Sequence, residues 1–135
     1  MVEFAIVLPI LLLLLFGIIE LSLVLYDKAM ITNSSREGAR YGIAFNADPA
    51  TYQYSPYSDA QIRTTVVTYL SNYLISPGGP SAINVAISPG TRVRGEGLTV
   101  RVQYDYNFLI LPNFVAGLMG LDPLTLAAET VMRME

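Results

Sequence analysis

From Phe4 to Leu25 the chain reads FAIVLPILLLLLFGIIELSLVL, with Glu20 as its one ionisable side chain. A helix needs about 20 predominantly apolar residues to cross a bilayer, and this run meets that length. Five consecutive leucines, Leu11–Leu15, leave it no polar face. A core helix of a soluble domain shows a single apolar stripe, so that reading fits poorly. A cleaved secretory signal has a basic start, a shorter apolar region and a small-residue cleavage site. No Lys or Arg precedes the run, and no Ala-x-Ala pattern follows it. The expectation is a membrane-inserting helix. Within it, Pro9 removes a backbone donor and is expected to kink or loosen the first turns. Glu3 and Glu20 are costly in hydrocarbon and need a partner or a place at the water boundary.

No proline interrupts the chain between Pro9 and Pro49. Ala29, Thr32, Arg36 and Ala39 recur at helical spacing, as do Ile31, Ser35 and Gly42 on an adjoining stripe. The stripe is small and mixed, which suits close packing against another element. A helix from about residue 4 to 46 is roughly 60 Å long at 1.5 Å per residue. That is twice the hydrocarbon thickness of about 30 Å, so the second half must stand in water against a domain. The chain therefore divides into residues 1–26, the transmembrane or filament-core half of the helix; 27–46, its amphipathic half; and a head, 47–135.

The head reads as α+β. Residues 47–57 (ADPATYQYSPY) form a loop by their two prolines, and Tyr52, Tyr54 and Tyr57 either lie flat on the head or make subunit contacts, where tyrosine is enriched. Ser58-Asp59-Ala60-Gln61 has the capping-box form. Ile62, Val66, Tyr69/Leu70 and Tyr73/Leu74 follow at helical spacing up to Pro77-Gly78-Gly79-Pro80, which predicts a second helix of about four turns. Ile83–Ile87 alternates. Leu98, Val100, Val102, Tyr104 and Tyr106 alternate strictly with polar neighbours, and residues 124–133 repeat the pattern. Glycines in 90–97 mark a hairpin connection. The prediction is a three-stranded antiparallel sheet packed on both helices. Residues 107–121 (NFLILPNFVAGLMGL) are uncharged but too short and broken to span a bilayer. Phe108, Leu109, Phe114 and Leu118 there are either core or an exposed contact surface.

Catalytic chemistry finds little support. The 135 residues include no His and no Cys, which removes the common zinc, haem and iron–sulfur ligand sets and the usual activated nucleophiles. The carboxylates are scattered, and Asp105 beside Arg101 on one strand face reads as a surface ion pair. Gly95 and Gly97 precede a strand, so they do not form a phosphate-cradling loop. Eight Lys and Arg against 11 Asp and Glu give a net charge of −3, the wrong sign for a nucleic-acid partner. The expectation is no enzyme, no cofactor and no metal. An apolar helix continuing into a head is either a subunit that bundles with its own copies or a single-pass, membrane-anchored extracytoplasmic binding module that does not polymerise. An acidic group at the apolar tip favours bundling. In a staggered bundle one chain's carboxylate neutralises its neighbour's N-terminal ammonium, and breaking such a buried pair costs about 3–5 kcal/mol.

Val2-Glu3-Phe4-Ala5-Ile6-Val7-Leu8-Pro9, the leucine run, Gly17-Ile18-Ile19-Glu20 and Ser35-Arg36-Glu37-Gly38-Ala39-Arg40-Tyr41 resemble the TadE-like proteins. The resemblance is specific over roughly the first 45 residues and weaker to the C-terminal Thr130-Val131-Met132-Arg133-Met134-Glu135. It implies a pilin-like subunit of the tight-adherence (Tad) pilus, a relative of type IV pili used for surface attachment. The implied partners are copies of itself, other pilins, the inner membrane, a prepilin peptidase and the pilus assembly platform. The implied location is the inner membrane first and an extracellular filament afterwards. Glu3 takes the place of the pilin glutamate, with Phe4, Pro9, Gly17 and Glu20 as assembly or register residues. Only Met1 and Val2 precede Glu3, where the family has a basic leader cut after a glycine and its glutamate fifth, so a trimmed, processed or mis-assigned start is expected. Lys28, Arg36 and Arg40 after the span would put the head inside by charge alone; the resemblance implies a head outside.

Overall fold

The computed structural model describes residues 2–47, 54–77, 79, 81–89, 93, 95–108, 120 and 124–134. Helix α1 runs from Val2 to Ile43, and stays helical on both sides of Pro9. Strands β1 (Phe45–Ala47) and β2 (Tyr54–Pro56), helix α2 (Asp59–Tyr73) and strands β3 (Ile83–Ser88), β4 (Gly97–Tyr106) and β5 (Leu124–Arg133) follow. The architecture is α+β: a long apolar N-terminal helix, a second helix and a three-stranded antiparallel sheet in the order β3-β4-β5.

Local chemistry sets the boundaries. At the start of α2 the Ser58 Oγ accepts from the Gln61 N–H at 3.3 Å, and Gln61 Oε1 accepts from the Ser58 N–H at 2.9 Å. The capping box thus satisfies two backbone donors that a helix start leaves open. Ile62, Val66 and Leu70 form its buried face. At the other end Leu74 turns extended, and its N–H closes onto the Leu70 carbonyl at 2.8 Å.

In the sheet, β4 lies between β3 and β5, with Val102 opposite Val85 on one side and Ala128 on the other. Its inward residues Leu98, Val100, Val102, Tyr104 and Tyr106 are all buried, as the alternation predicts. They meet Val24, Ile31 and Ala39 of α1 and the apolar face of α2 in one core. Gly38 and Gly42 let the helices come that close. A Cβ on Gly38 would lie 2.4 Å from Val66 Cγ2, and one on Gly42 would lie 2.4 Å from Leu98 Cδ2 and 2.6 Å from Ile62 Cδ1. The small-residue stripe is therefore realised as Ile31, Ser34, Ser35, Gly38, Ala39 and Gly42, all buried, while Ala29 and Arg36 face outward.

Two expectations are corrected. The stretch after α1 is not all loop: β1 pairs antiparallel with β2, Phe45 opposite Pro56, and α1 ends three residues before 46. Pro56 is tolerated because it stands at the margin of a two-stranded ribbon, where its missing donor is not required. The second concerns Asp105, whose Oδ1 accepts from the Thr125 hydroxyl at 2.7 Å. Residues four apart on a strand are separated by about 13 Å, so Arg101 is out of reach, and its directly opposite residue is Glu129. The ion pair found among the described residues is Arg40–Glu37, at 3.1 Å on the surface of α1.

Candidate functional site

Every residue from Glu3 to Phe16 is exposed, and exposure continues on all sides of α1 to Ile19 except at Gly17, which is half-buried. Phe4 is 69% exposed, so the first turns stand clear of the head among the described residues. Glu3, Phe4 and Pro9 lie at this free end, and apart from the adjoining helix itself no described atom lies within 4 Å of where a Gly17 Cβ would stand. Glu20 behaves differently: it is fully buried. It begins the part of α1 that is seated in the head.

That seat carries a polar seam on helical positions seven apart: Glu20, Asp27 and Ser34, with Ser35 beside the last. The Tyr106 hydroxyl of β4 donates to Glu20 Oε1 at 2.9 Å. The Ile75 N–H donates to Asp27 Oδ1 at 3.0 Å, whereas buried Asp27 Oδ2 has no hydrogen-bond partner among the described residues. Ser35 shares a hydrogen bond with Thr130 of β5 at 2.7 Å, and Lys28 Nζ donates to the Ala127 carbonyl. Burial disfavours the charged forms here. It pushes the Asp27 carboxyl upward against the lowering effect of the Ile75 N–H. It raises the Tyr106 phenol too, helped by the hydrogen bond to Glu20 and by the charges of Glu20 and Asp27. The seam reads as a specificity device: Glu20, Lys28 and Ser35 meet partners on the sheet and Asp27 meets the Ile75 N–H beyond α2, so sliding the head along the helix by a turn would strand several of them.

The other proposed contact residues fall in three places. Tyr54 is 74% exposed on β2, beyond the far end of α1. Tyr57 stacks on Tyr41, ring centroids 4.1 Å apart. Phe108 stands edge-on to Tyr106 at 5.3 Å. Tyr52, Leu109, Phe114 and Leu118 lie outside the described residues. A half-open cleft of about 290 Å³ between the end of α2 and β3 is lined by Leu70, Leu74, Ile83 and Tyr104, with the Ser76 and Tyr104 hydroxyls bonded to each other at 2.6 Å. Among the described residues no three carboxylates gather to hold a metal ion.

The seat, the free apolar tip and the glycine pair all lie on α1, and a comparison with known families falls on the same element. Residues 1–40 match the family model of TadE-like protein. The match covers the free tip, the polar seam and Gly38, and stops before Gly42. It points to a Tad-pilus-associated protein, of a family that is typically non-enzymatic. No curated protein and no solved structure matches the chain. The TadE-like segment thus contains Glu20, Asp27, Lys28 and Ser35 of the seam, and the head supplies their partners Tyr106, Ile75, Ala127 and Thr130. Sequence reasoning missed Asp27 and Tyr106 as members of the site. The seven-residue spacing of Glu20, Asp27 and Ser34 was the available signal for the first. Nothing in the alternation of β4 distinguishes Tyr106 from its buried neighbours.

Proposed function

We propose that this chain is a structural subunit, a pilin or minor pseudopilin, of a Tad pilus, and that it assembles through α1 for surface attachment. The observation that supports this most is the free tip. A helix apolar on every side for about 25 Å demands apolar surroundings, which lipid provides before assembly and neighbouring α1 helices provide afterwards. Membrane anchoring fits the length and composition of the same helix. Between Glu3 and Ile19 the only ionisable side chain is Glu3. It is exposed, whereas Glu20 already accepts from Tyr106. Glu3 is therefore the carboxylate available to a neighbour's N-terminal ammonium, and that pair sets the axial stagger of the bundle. On this reading the chain starts in the inner membrane, is processed by a prepilin peptidase, passes through the assembly platform and ends outside in a filament with other pilins.

The test is Glu3→Ala expressed in cells that make the pilus. The variant is expected at normal level in the membrane fraction and lost from sheared extracellular material. Normal incorporation into sheared filaments would refute the register role. Absence of the unaltered chain from sheared material would refute the subunit role and leave an anchored binding module.

A further inference from the structure

Strand β4 runs antiparallel to α1: Leu98 lies by Gly42, Val100 by Gly38 and Tyr106 by Glu20. Tyr106 is opposite Leu124, the first residue of β5. The end of the sheet that carries Tyr106, Phe108 and Leu124 therefore points toward the N-terminus of α1. How far it points is fixed by Glu20. From Glu3 to Glu20 the helix rises about 25 Å, and the hydrocarbon layer is about 30 Å thick. With Glu3 at one hydrocarbon boundary, Glu20 and the Tyr106 hydroxyl that holds it lie about 5 Å inside the opposite one. Asp27, Lys28 and the Ile75 N–H stand about 10 Å higher, at headgroup level.

We propose that this end of the head is a lipid-binding edge, embedded in the leaflet that α1 leaves and docked there through Phe108, with Ile75 at headgroup depth. The inference rests on the membrane-inserted state of the reading above. The surface chemistry suits it. Leu21 and Leu25 are exposed on the helix face turned away from the head, at 52% and 70%, and Ile75 is 43% exposed. Tyr26 is 38% exposed at the height where aromatic residues collect at membrane interfaces. Lys28 stands at phosphate depth. Glu20 meets a phenol instead of hydrocarbon, which removes the main obstacle to burying this level. Asp105 is the charged residue nearest the edge on β4, one position above Tyr106, and it is hydrogen-bonded to Thr125 at the boundary. Of the residues that join the two strand ends, 107–123, one is charged: Asp122, two positions before Leu124. A bilayer fits this edge better than a soluble protein does, because the edge continues the surface of a helix already committed to lipid.

The chain contains no tryptophan, so single-Trp variants report one depth each. Full-length Leu13→Trp, Phe108→Trp, Ile75→Trp and Tyr54→Trp would be reconstituted in phosphatidylcholine–phosphatidylglycerol vesicles with brominated acyl chains, their folding checked by tyrosine near-ultraviolet dichroism. Leu13→Trp and Phe108→Trp are expected to lose most of their emission to bromine. Ile75→Trp should lose it only to bromines close to the headgroup, and Tyr54→Trp should lose none. If Leu13→Trp is quenched while Phe108→Trp and Ile75→Trp behave like Tyr54→Trp, the edge proposal is overturned and the membrane span survives. If Leu13→Trp is not quenched, the membrane reading fails with it. If Phe108→Trp is shielded from brominated lipid but its emission changes with the number of copies per vesicle, a second copy covers the edge and the proposal is likewise overturned.

Discussion

Replacing Tyr106 by Phe removes one oxygen from the base of the head and little else. The ring keeps its volume and its edge-on contact with Phe108, and both Tyr106 and Glu20 are essentially unexposed, at 1% and 0%. The lost interaction is a 2.9 Å hydrogen bond from a phenol to a buried carboxylate. Hydrogen bonds to charged groups contribute about 1.5–3 kcal/mol, and the carboxylate left behind has no water to replace the donor. At roughly 4 °C per kcal/mol for a domain of this size, the midpoint should fall by about 6–12 °C. The measurement is thermal unfolding of the full chain in detergent micelles, followed by near-ultraviolet tyrosine dichroism, because α1 remains helical in the micelle and would mask the transition in the far ultraviolet. Glu20→Gln provides the control. An amide demands less of the phenol than a carboxylate does, so Tyr106→Phe should cost less in that background, and the difference is the coupling energy of the pair. A Tyr106→Phe midpoint within a degree or two of the unaltered chain, or the same loss with and without Glu20→Gln, would refute the claim that this bond seats the head.

Gly38→Ala and Gly42→Ala test the close approach of α1 to α2 and the sheet. Overpacking costs about 1–3 kcal/mol, and the better helix propensity of Ala returns about 1 kcal/mol, so each variant should lose up to about 2 kcal/mol. The stiff, β-branched Val66 makes Gly38 the less forgiving site, and a Cβ at either site would touch Ile62, at 3.6 Å from Gly38 and 2.6 Å from Gly42, so the double variant should depart from additivity. A denaturation midpoint raised by either substitution would count against the packing argument. Asp27→Asn tests the unpaired oxygen. Burial holds the Asp27 carboxyl above its ordinary value of 3.8, so the folded state keeps its proton at pH values where the unfolded chain has lost it. The stability associated with that proton is fully present below the unfolded value and is lost as pH rises through the folded one. Tyr106, the titratable neighbour on β4, stays protonated throughout this range. Asn still accepts from the Ile75 N–H, so the variant should melt higher than the unaltered chain at neutral pH and gain less on acidification. Identical dependence of the midpoint on pH in both proteins would refute the assignment.

Much of this fold is written in patterns that a single strand or helix can carry. The leucine run, the Ser58–Gln61 box and the alternation of β4 each specify their element without help from the rest of the chain, and the structure reproduces all three. What was illegible depends on distance across the fold. Asp105 looked paired with Arg101 because both lie on one face, but the strand's rise separates them and the cross-strand Thr125 is nearer. The β1–β2 ribbon joins two three-residue segments, too short to show any period of their own. The partner of Glu20 lies 86 residues away, and no local rule links those positions.

The fates of the two carboxylates on the apolar helix follow from where the head begins. Both are equally costly in hydrocarbon, and a sequence offers no basis for giving them different partners. Seating the head at Glu20 divides them. Above that level Glu20, Asp27 and Ser35 of α1 meet Tyr106, the Ile75 N–H and Thr130 of their own chain, so these partners are present from the moment the chain folds. Below it Glu3 is exposed and has no hydrogen bond or ion pair to the head among the described residues, and in a membrane the lipid around it would offer no lasting counter-charge. On the proposed subunit role, a chain in the bilayer carries one acidic group at its tip, Glu3, and a neighbour's N-terminus is the group proposed to relieve it. The head prevents Glu20 from competing for that role. The proposed pairing would then offer the helices a single axial register, where two exposed carboxylates 17 positions apart would have offered two.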